Sequence, residues 1–247
     1  MIRVTPEAWL AAWPTRLMDF AAFVAATGYD ATGNMLTLGK DDIDWLPHGH
    51  TWESPGFVQA VDHPVVGVSY NDCLAFCRWL TEQEHSSGNI DTTQTYDLPT
   101  DLEWSRAVEL EEETGDSPEA RMYHSEGTYP WGPVWPPPPN FGNYAGSESR
   151  LDTPSWWGVA PGGYSDPFPR TSPVASFACN ALGFYDLSGN VWEWCADTYC
   201  GGSLARIVRG GSWGSDRPAY LQSATRNPKF PDTRNDETGF RIALRSL

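Results

Sequence analysis

The sequence predicts a single α+β domain, rich in loops, with short strands and two to three main helices. Three observations lead there. The 247 residues include 13 Trp, 23 Gly and 21 Pro. Large rings recurring among turn-forming residues mark irregular loops pinned by aromatic anchors. Helical periodicity is confined to a few segments, and two of these carry N-cap signals. The other apolar runs are only long enough for short strands. Hydrophobic content of 40% against 19% charged residues indicates a globular chain. No internal repeat or shift in composition divides it, so residues 1–247 are read as one domain with a divergent segment at 1–15.

The elements follow in order. Leu17, Phe20, Phe23 and Val24 recur at three- and four-residue spacing, so residues 16–27 read as a helix that Gly28 ends. Residues 29–63 are rich in turn formers. His48-Gly49-His50 has a metal-binding spacing there, but nothing nearby in sequence completes a site. Val65-Val66-Gly67-Val68 reads as a short strand. Ser69 or Asn71 then caps a helix starting near Asp72, with Leu74, Phe76, Cys77, Trp79 and Leu80 on its apolar face. Thr100 with Glu103 forms a capping box for a third helix running to about Glu112. Residues 129–173 are dominated by Pro, Gly and aromatics. A stretch this long without regular structure marks function or a packed loop. Trp131, Trp135, Tyr144, Trp156, Trp157 and Phe168 favour an ordered, packed one. Short strands are expected at 191–194, 207–209 and 240–244.

Charge excludes some partners. The formal net charge is −16, and Lys40 and Lys229 are the only lysines. Nucleic acid and anionic membranes are repelled by such a surface, whereas divalent cations suit it. No apolar run approaches the roughly 20 residues that span a bilayer. The first residues lack the order of a signal peptide, so a cytoplasmic location and no membrane insertion are expected. Five cysteines form no dense framework. Cys73 and Cys77 share a helix face, Cys195 and Cys200 are close enough for a local bridge, and all five are expected as thiols.

Three motifs carry the most information: Gly189-Asn190-Val191-Trp192-Glu193-Trp194, then Arg209-Gly210-Gly211-Ser212-Trp213, then Gly239-Phe240-Arg241. With segments 20–28, 64–80, 98–104 and Tyr129-Pro130-Trp131-Gly132, the chain from about residue 16 onward resembles the formylglycine-generating enzyme family, also called the sulfatase-modifying factor family. The resemblance implies a C-type-lectin-like fold. The family's usual first strand is not recognisable in this sequence.

The resemblance also implies a chemistry that this chain lacks. The family's oxidases hold copper on two cysteines shortly after the Gly-Gly-Ser-aromatic motif. The matching positions here are Ser215 and Tyr220, and no cysteine follows Cys200. Soft Cu(I) needs thiolates, so no copper is expected. The five-residue separation of Cys195 and Cys200 is that of such a pair, but in another part of the sequence. A related branch, the iron sulfoxide synthases, uses a histidine cluster, whereas His48, His50, His63, His85 and His124 are scattered.

Structural calcium is the cofactor the resemblance does imply. One site would use the side chains of Asp186 and Glu193 with the carbonyls of Gly189 and Val191. A second would use Asn143, the Tyr144 carbonyl, Asp166 and the Phe168 carbonyl. Mixed carboxylate, amide and carbonyl oxygens are what calcium takes. Arg209, Arg226, Arg234 and Arg241 read as scaffold, with Arg226 and Arg241 buried or half-buried.

Segment 213–241 alternates fixed and variable-looking positions. In this fold it lines the ligand-facing surface. The pattern also resembles variable proteins of diversity-generating retroelements, which likewise end just after Gly-Phe-Arg. Their mutated codons start as Asn codons. Gly214, Ser215, Asp216, Tyr220, Thr225, Asn227, Phe230, Asn235 and Asp236 are reachable that way, and Lys229, Gln222 and Glu237 are not. The expectation is a non-catalytic protein that binds an unknown protein or small molecule. Its contacts would come from Gly214, Ser215, Asp216, Arg217, Tyr220, Asn227, Lys229, Phe230, Asn235 and Asp236. Two other readings stand beside it. One is an enzyme of altered, non-copper chemistry using a metal or Asp216, Tyr220 and Arg217. The other is a structural accessory protein.

Overall fold

The structure is a computed structural model and describes all residues except 111, 112, 123–126, 152, 155, 156, 159–162 and 247. Trp156 and His124 therefore lie outside the described residues.

The chain opens with a hairpin, β1 (Ile2–Thr5) and β2 (Ala8–Leu10), which pairs antiparallel. These strands lie in the divergent segment 1–15, where no first strand is recognisable from sequence. Ala8 and Leu10 are buried, so the strand is specified by alternation too short to recognise in isolation. Helix α1 (Leu17–Thr27) follows and stops at Gly28 with φ of 67°. A two-residue strand β3 (Met35–Leu36) precedes the long helix α2 (Tyr70–Ser86). Ser69 caps α2 by accepting from the Asp72 amide, and Asp72 returns the bond to the Ser69 amide at 2.8 Å. The segment 65–68 is extended and buried, but it is not a strand: Val65 and Gly67 donate to the carbonyls of Thr15 and Asn235 and join no ladder.

Strand β4 (Gln94–Asp97) leads into helix α3 (Asp101–Ala107) with the expected Thr100–Glu103 capping box. The helix ends five residues earlier than expected, because Val108 leaves helical geometry and Glu109 has φ of 60°. After a short helix α4 (Pro118–Arg121), the described part of the aromatic stretch has only a 3-10 turn at Ser147–Leu151. Tyr129 and Trp131 stack there at 4.8 Å, and Trp131 packs on Tyr144. Next come β5 (Trp192–Thr198), β6 (Arg206–Arg209), helix α5 (Pro218–Leu221), β7 (Asn227–Lys229), β8 (Arg234–Asn235), β9 (Thr238–Gly239) and β10 (Ala243–Ser246). The expected strand at 240–244 is thus two strands flanking Phe240-Arg241.

Two four-stranded sheets result, ordered β1-β2-β10-β4 and β7-β6-β5-β9, with a small parallel pair β3-β8 beside them. α1 and α2 pack their aromatic faces onto the motif residues: Phe20, Phe23, Phe76, Trp192, Trp194 and Phe240 share one core. A second core gathers Leu10, Trp104, Phe184, Leu187 and Ile207. All five cysteines are unpaired. No helix among the described residues is long and apolar enough to cross a membrane.

Candidate functional site

The Gly-Gly-Ser-Trp motif makes the floor of the site. β6 ends at Arg209, and the chain then reverses through Gly210 and Gly211 with φ of 94° and 77°, a region that favours glycine. The Ser215 hydroxyl accepts from the Ser212 amide at 3.0 Å, and the Ser212 hydroxyl accepts from the Gly214 amide at 3.2 Å. Trp213 is fully buried and donates its indole N–H to the Asp236 carbonyl at 2.9 Å.

Around this turn lies a cavity of about 430 Å³. One wall is aromatic: Trp157 stacks on Trp213 at 6.0 Å, donates to the Gly214 carbonyl at 3.0 Å, and meets Trp45. On the opposite wall Trp192 meets Tyr220 edge-on at 6.2 Å. Gly214 allows close approach, because a Cβ there would collide with the Glu237 carboxylate and the Trp157 ring. Gly158 does the same for Asp216.

Charges converge in the cavity. Burial lowers the Lys229 amine from its ordinary range, while Glu237 and Asp236 oppose that shift. Burial raises Glu237, and Lys229 and the Ser212 hydroxyl pull it back. Arg217 stands exposed at the rim, 3.5 Å from Asp216.

Eight of the ten expected contact residues line this space: Gly214, Ser215, Asp216, Arg217, Tyr220, Asn227, Lys229 and Asn235. The other two are corrections. Phe230 is 67% exposed and lies away from the cavity. Asp236 faces a different cavity, since side chains alternate along an extended chain and its neighbours Asn235 and Glu237 take this one. Ser215 is 2% exposed and serves the turn rather than presenting itself to a ligand.

Sequence reasoning missed Leu36, Trp45, Trp157, Gly158, Trp192, Ser212 and Glu237 as lining residues. Leu36 arrives through the parallel β3-β8 pairing, which places it beside Asn235. A two-residue strand has no periodicity to read. Trp157 has a signal in the aromatic run 129–173, but that run alone points to loop packing rather than to a cavity wall.

The arginines form the supporting frame. Asp101 is buried beneath three of them. Its Oδ1 accepts from Arg209 Nη1 and, at 3.0 Å, from Arg226 Nε, and its Oδ2 accepts from Arg121 Nε at 2.9 Å and Arg226 Nη2 at 3.0 Å. Burial alone would raise the Asp101 carboxyl, but Arg209, Arg226 and Arg121 outweigh it and hold it below the ordinary range. Arg226 and Arg241 are buried as expected, and so is Arg209.

The two calcium sites differ in how well their residues fit a cation. Asn143 donates its Nδ2 to the Arg170 carbonyl at 2.6 Å, and its Oδ1 is buried without a hydrogen-bond partner. Burial raises Asp166 to about 7, with Glu148 adding to the rise. A buried amide oxygen without a partner and a carboxylate penalised by burial are each groups that a hard cation would satisfy. At the other site Glu193 Oε2 accepts from Arg241 Nε at 2.6 Å and Trp104 Nε1 at 2.9 Å, and Oε1 accepts from Arg241 Nη2 at 2.6 Å. That carboxylate already has its counter-charge. Asp186 remains, raised to about 6 by burial despite a bond from the Ala175 amide, together with the carbonyls of Gly189 and Val191. The first site thus holds an ion pair; at the second, Asn143 Oδ1 is open, while the Tyr144 carbonyl already accepts from the Gly146 amide at 2.8 Å. Among the described residues, no three His, Cys, Asp or Glu side chains converge as a metal cluster.

Cys195 is fully buried, its thiol raised well above the ordinary range by burial, and it lies outside the cavity lining.

Comparison with known proteins agrees with this geometry. The family described as sulfatase-modifying factor enzyme 1-like domain matches residues 5–246. A formylglycine-generating enzyme of Thermomonospora curvata is 28% identical over 93% of this chain and 79% of its own length. A bovine protein named inactive C-alpha-formylglycine-generating enzyme 2 is 32% identical over 86% of this chain, which spans 61% of that relative. Among solved structures, Treponema denticola variable protein 1 superposes with a TM-score of 0.55 at 20% identity, covering 96% of this chain and 84% of that one.

Proposed function

The chain thus belongs to the sulfatase-modifying factor enzyme 1-like domain family, and from that premise we propose that it is a ligand-binding protein without oxidase chemistry. Its C-terminal segment, residues 213–241, supplies one face of the cavity, and calcium at Asn143, Tyr144, Asp166 and Phe168 braces the scaffold. The observation that carries this reading is a cavity lined by rings and short polar groups, with Ser215 and Tyr220 at the positions where the family resemblance implies the oxidases' thiols. Rigid aromatic walls with adaptable polar contacts suit recognition. A relative named as inactive and a structural neighbour named as a variable protein support it. The finer proposal is that the segment is diversified by a retroelement.

The test restores what is missing. Ser215→Cys with Tyr220→Cys should convert the cavity into a Cu(I) site binding about one copper per chain, while the parent protein binds none through thiols. The parent should also leave a cysteine-bearing sulfatase peptide unchanged in the presence of copper and oxygen. Conversion of that peptide would overturn the reading. For diversification, a reverse-transcriptase gene beside a near-repeat of the codons for 213–241, differing only at adenines, is the expected context.

A second reading, an enzyme of the family with non-copper chemistry, draws on one observation. The Lys229 amine, its proton affinity lowered by burial, shares the cavity with Asp216, Arg217 and Tyr220.

A further inference from the structure

A second and larger cavity, about 740 Å³, lies where Asp236 points. Its lining inverts the character of the molecule. The chain has a net charge of −16 with five histidines and two lysines. Three of those histidines, one of those lysines and Arg170 line this one space, and Asp236 is the one carboxylate among its lining residues. We propose that this cavity is a binding site for a small organic carboxylate with an apolar, aromatic-sized body. It is distinct from the cavity formed by residues 213–241 and stands independently of the function proposed there.

The donors are arranged for it. Arg170 is pinned with its guanidinium over the Trp213 ring at 4.3 Å and near Phe57 at 5.7 Å, which fixes the plane of its fork. A fixed guanidinium is the side chain suited to a carboxylate. His63 contributes a second donor. The Thr171 hydroxyl accepts from Gln59 Nε2 at 3.1 Å and lies 2.9 Å from His63 Nδ1; in the tautomer where the hydroxyl donates to Nδ1, the imidazole proton is on Nε2 and free to donate. Burial lowers the His63 pKa, in keeping with that neutral form.

Asp236 sits 3.7 Å from Arg170, with Oδ1 buried and lacking a hydrogen-bond partner. Burial and Glu237 raise this carboxyl to about 8, against the pull of Arg170 and Lys229. A carboxyl raised in this way holds its proton more readily than an ordinary one and can act as a third donor. Lys40 is exposed at the rim. His48 is already committed, to Asp42 at 3.1 Å and Thr37 at 2.9 Å, and holds its own loop. Between the donors, Leu38, Phe57, Val58 and Phe168 supply apolar wall. The volume falls in the range of small-molecule sites, about 300–1,000 Å³.

The test is proton NMR of the histidine rings during titration with benzoate, with benzylamine and inorganic phosphate as probes of charge and of the apolar body. Benzoate should shift His50 and His63 saturably and leave His85 unmoved, because His85 is tied to the Asp91 and Gln94 carbonyls at the end of α2. Benzylamine should shift neither His50 nor His63, and phosphate should bind at least tenfold more weakly than benzoate. Arg170→Lys keeps the charge and loses the fork, and should weaken benzoate at least tenfold. Lys40→Gln, at the rim, should weaken it two- to threefold. Absence of saturable shifts, equal binding of benzylamine, or phosphate binding as well as benzoate would each overturn the proposal. If Arg170→Lys does not fold, the wild-type probe comparison and Lys40→Gln decide it.

Discussion

Replacing Asp101 by Asn removes the charge that three arginines share. Asp101, Arg209 and Arg226 are wholly buried, and Arg121 nearly so. Arg226 would keep Glu113 at 2.7 Å. Arg209 would keep only neutral partners, the Asp101 carbonyl, the Ser105 hydroxyl and the Ser223 carbonyl. Breaking a buried ion pair while leaving its partner costs about 3–5 kcal/mol. Unfolding entropy of about 2.1 cal/mol/K per residue gives about 0.5 kcal/mol/K for a chain of this length, so the melting point should fall by about 6–10 °C. The carboxyl is depressed in the folded state. Its stabilisation is therefore complete above the unfolded value of about 3.9 and is lost as pH falls through the lower folded value. The gap between parent and Asp101→Asn should be full at pH 7 and close in strong acid. The effect should reach the cavity as well, since Arg209 ends β6 just before the Gly210-Gly211 turn and Arg226 precedes β7. Calorimetry of the two proteins from pH 7 down into strong acid, below about pH 3, reads this directly. Asp19→Asn, at the part-exposed Arg16–Asp19 pair, serves as a control expected to cost under about 1 kcal/mol. A shift below 2 °C for Asp101→Asn, or one equal to the control, would refute the view that this carboxylate anchors the frame.

Other expectations follow from the same geometry. Gly214→Ala should cost about 1–3 kcal/mol and constrict the cavity, because its Cβ meets Glu237 and Trp157; an unchanged melting point would contradict that packing. Without calcium, stability should fall as pH rises from about 4 to 8, because Asp186, Asp166 and Asp236 hold protons to about 6, 7 and 8 in the fold while the unfolded chain has lost them. Added calcium should flatten the Asp166 share, and Asp166→Asn should abolish that response to calcium. A thiol reagent should label exposed Cys179 readily in the native protein and leave buried Cys73, Cys77 and Cys195 untouched until unfolding.

What could be read from the sequence was whatever is written in local chemistry. The Ser69 and Thr100 caps, the Gly28 stop and the burial of Arg226 and Arg241 all follow from residue type and spacing. The three C-terminal motifs carried the family, and with it eight of the cavity's lining residues. What escaped was set by distant partners. The opening hairpin is specified by pairing with β10 at the other end of the chain. Leu36 and Trp45 reach the cavity only because the 29–63 loop folds over it. Glu193 illustrates a different limit: its position matched a metal ligand, but nothing local reveals that Arg241 claims both oxygens. Asp236 was misplaced because alternation along 235–237 decides its side, and that register is fixed by β8 pairing with β3.

The central claim, a family scaffold kept for binding and emptied of copper chemistry, is tested most directly by metal content and melting temperature of the purified protein. The measurement is made after chelation and after adding back calcium or copper. The account predicts one calcium ion per chain, a melting point that falls on chelation and recovers with calcium, and no copper that depends on thiols. Stoichiometric copper lost on blocking cysteines would contradict it, and would return attention to Cys195 and Cys200.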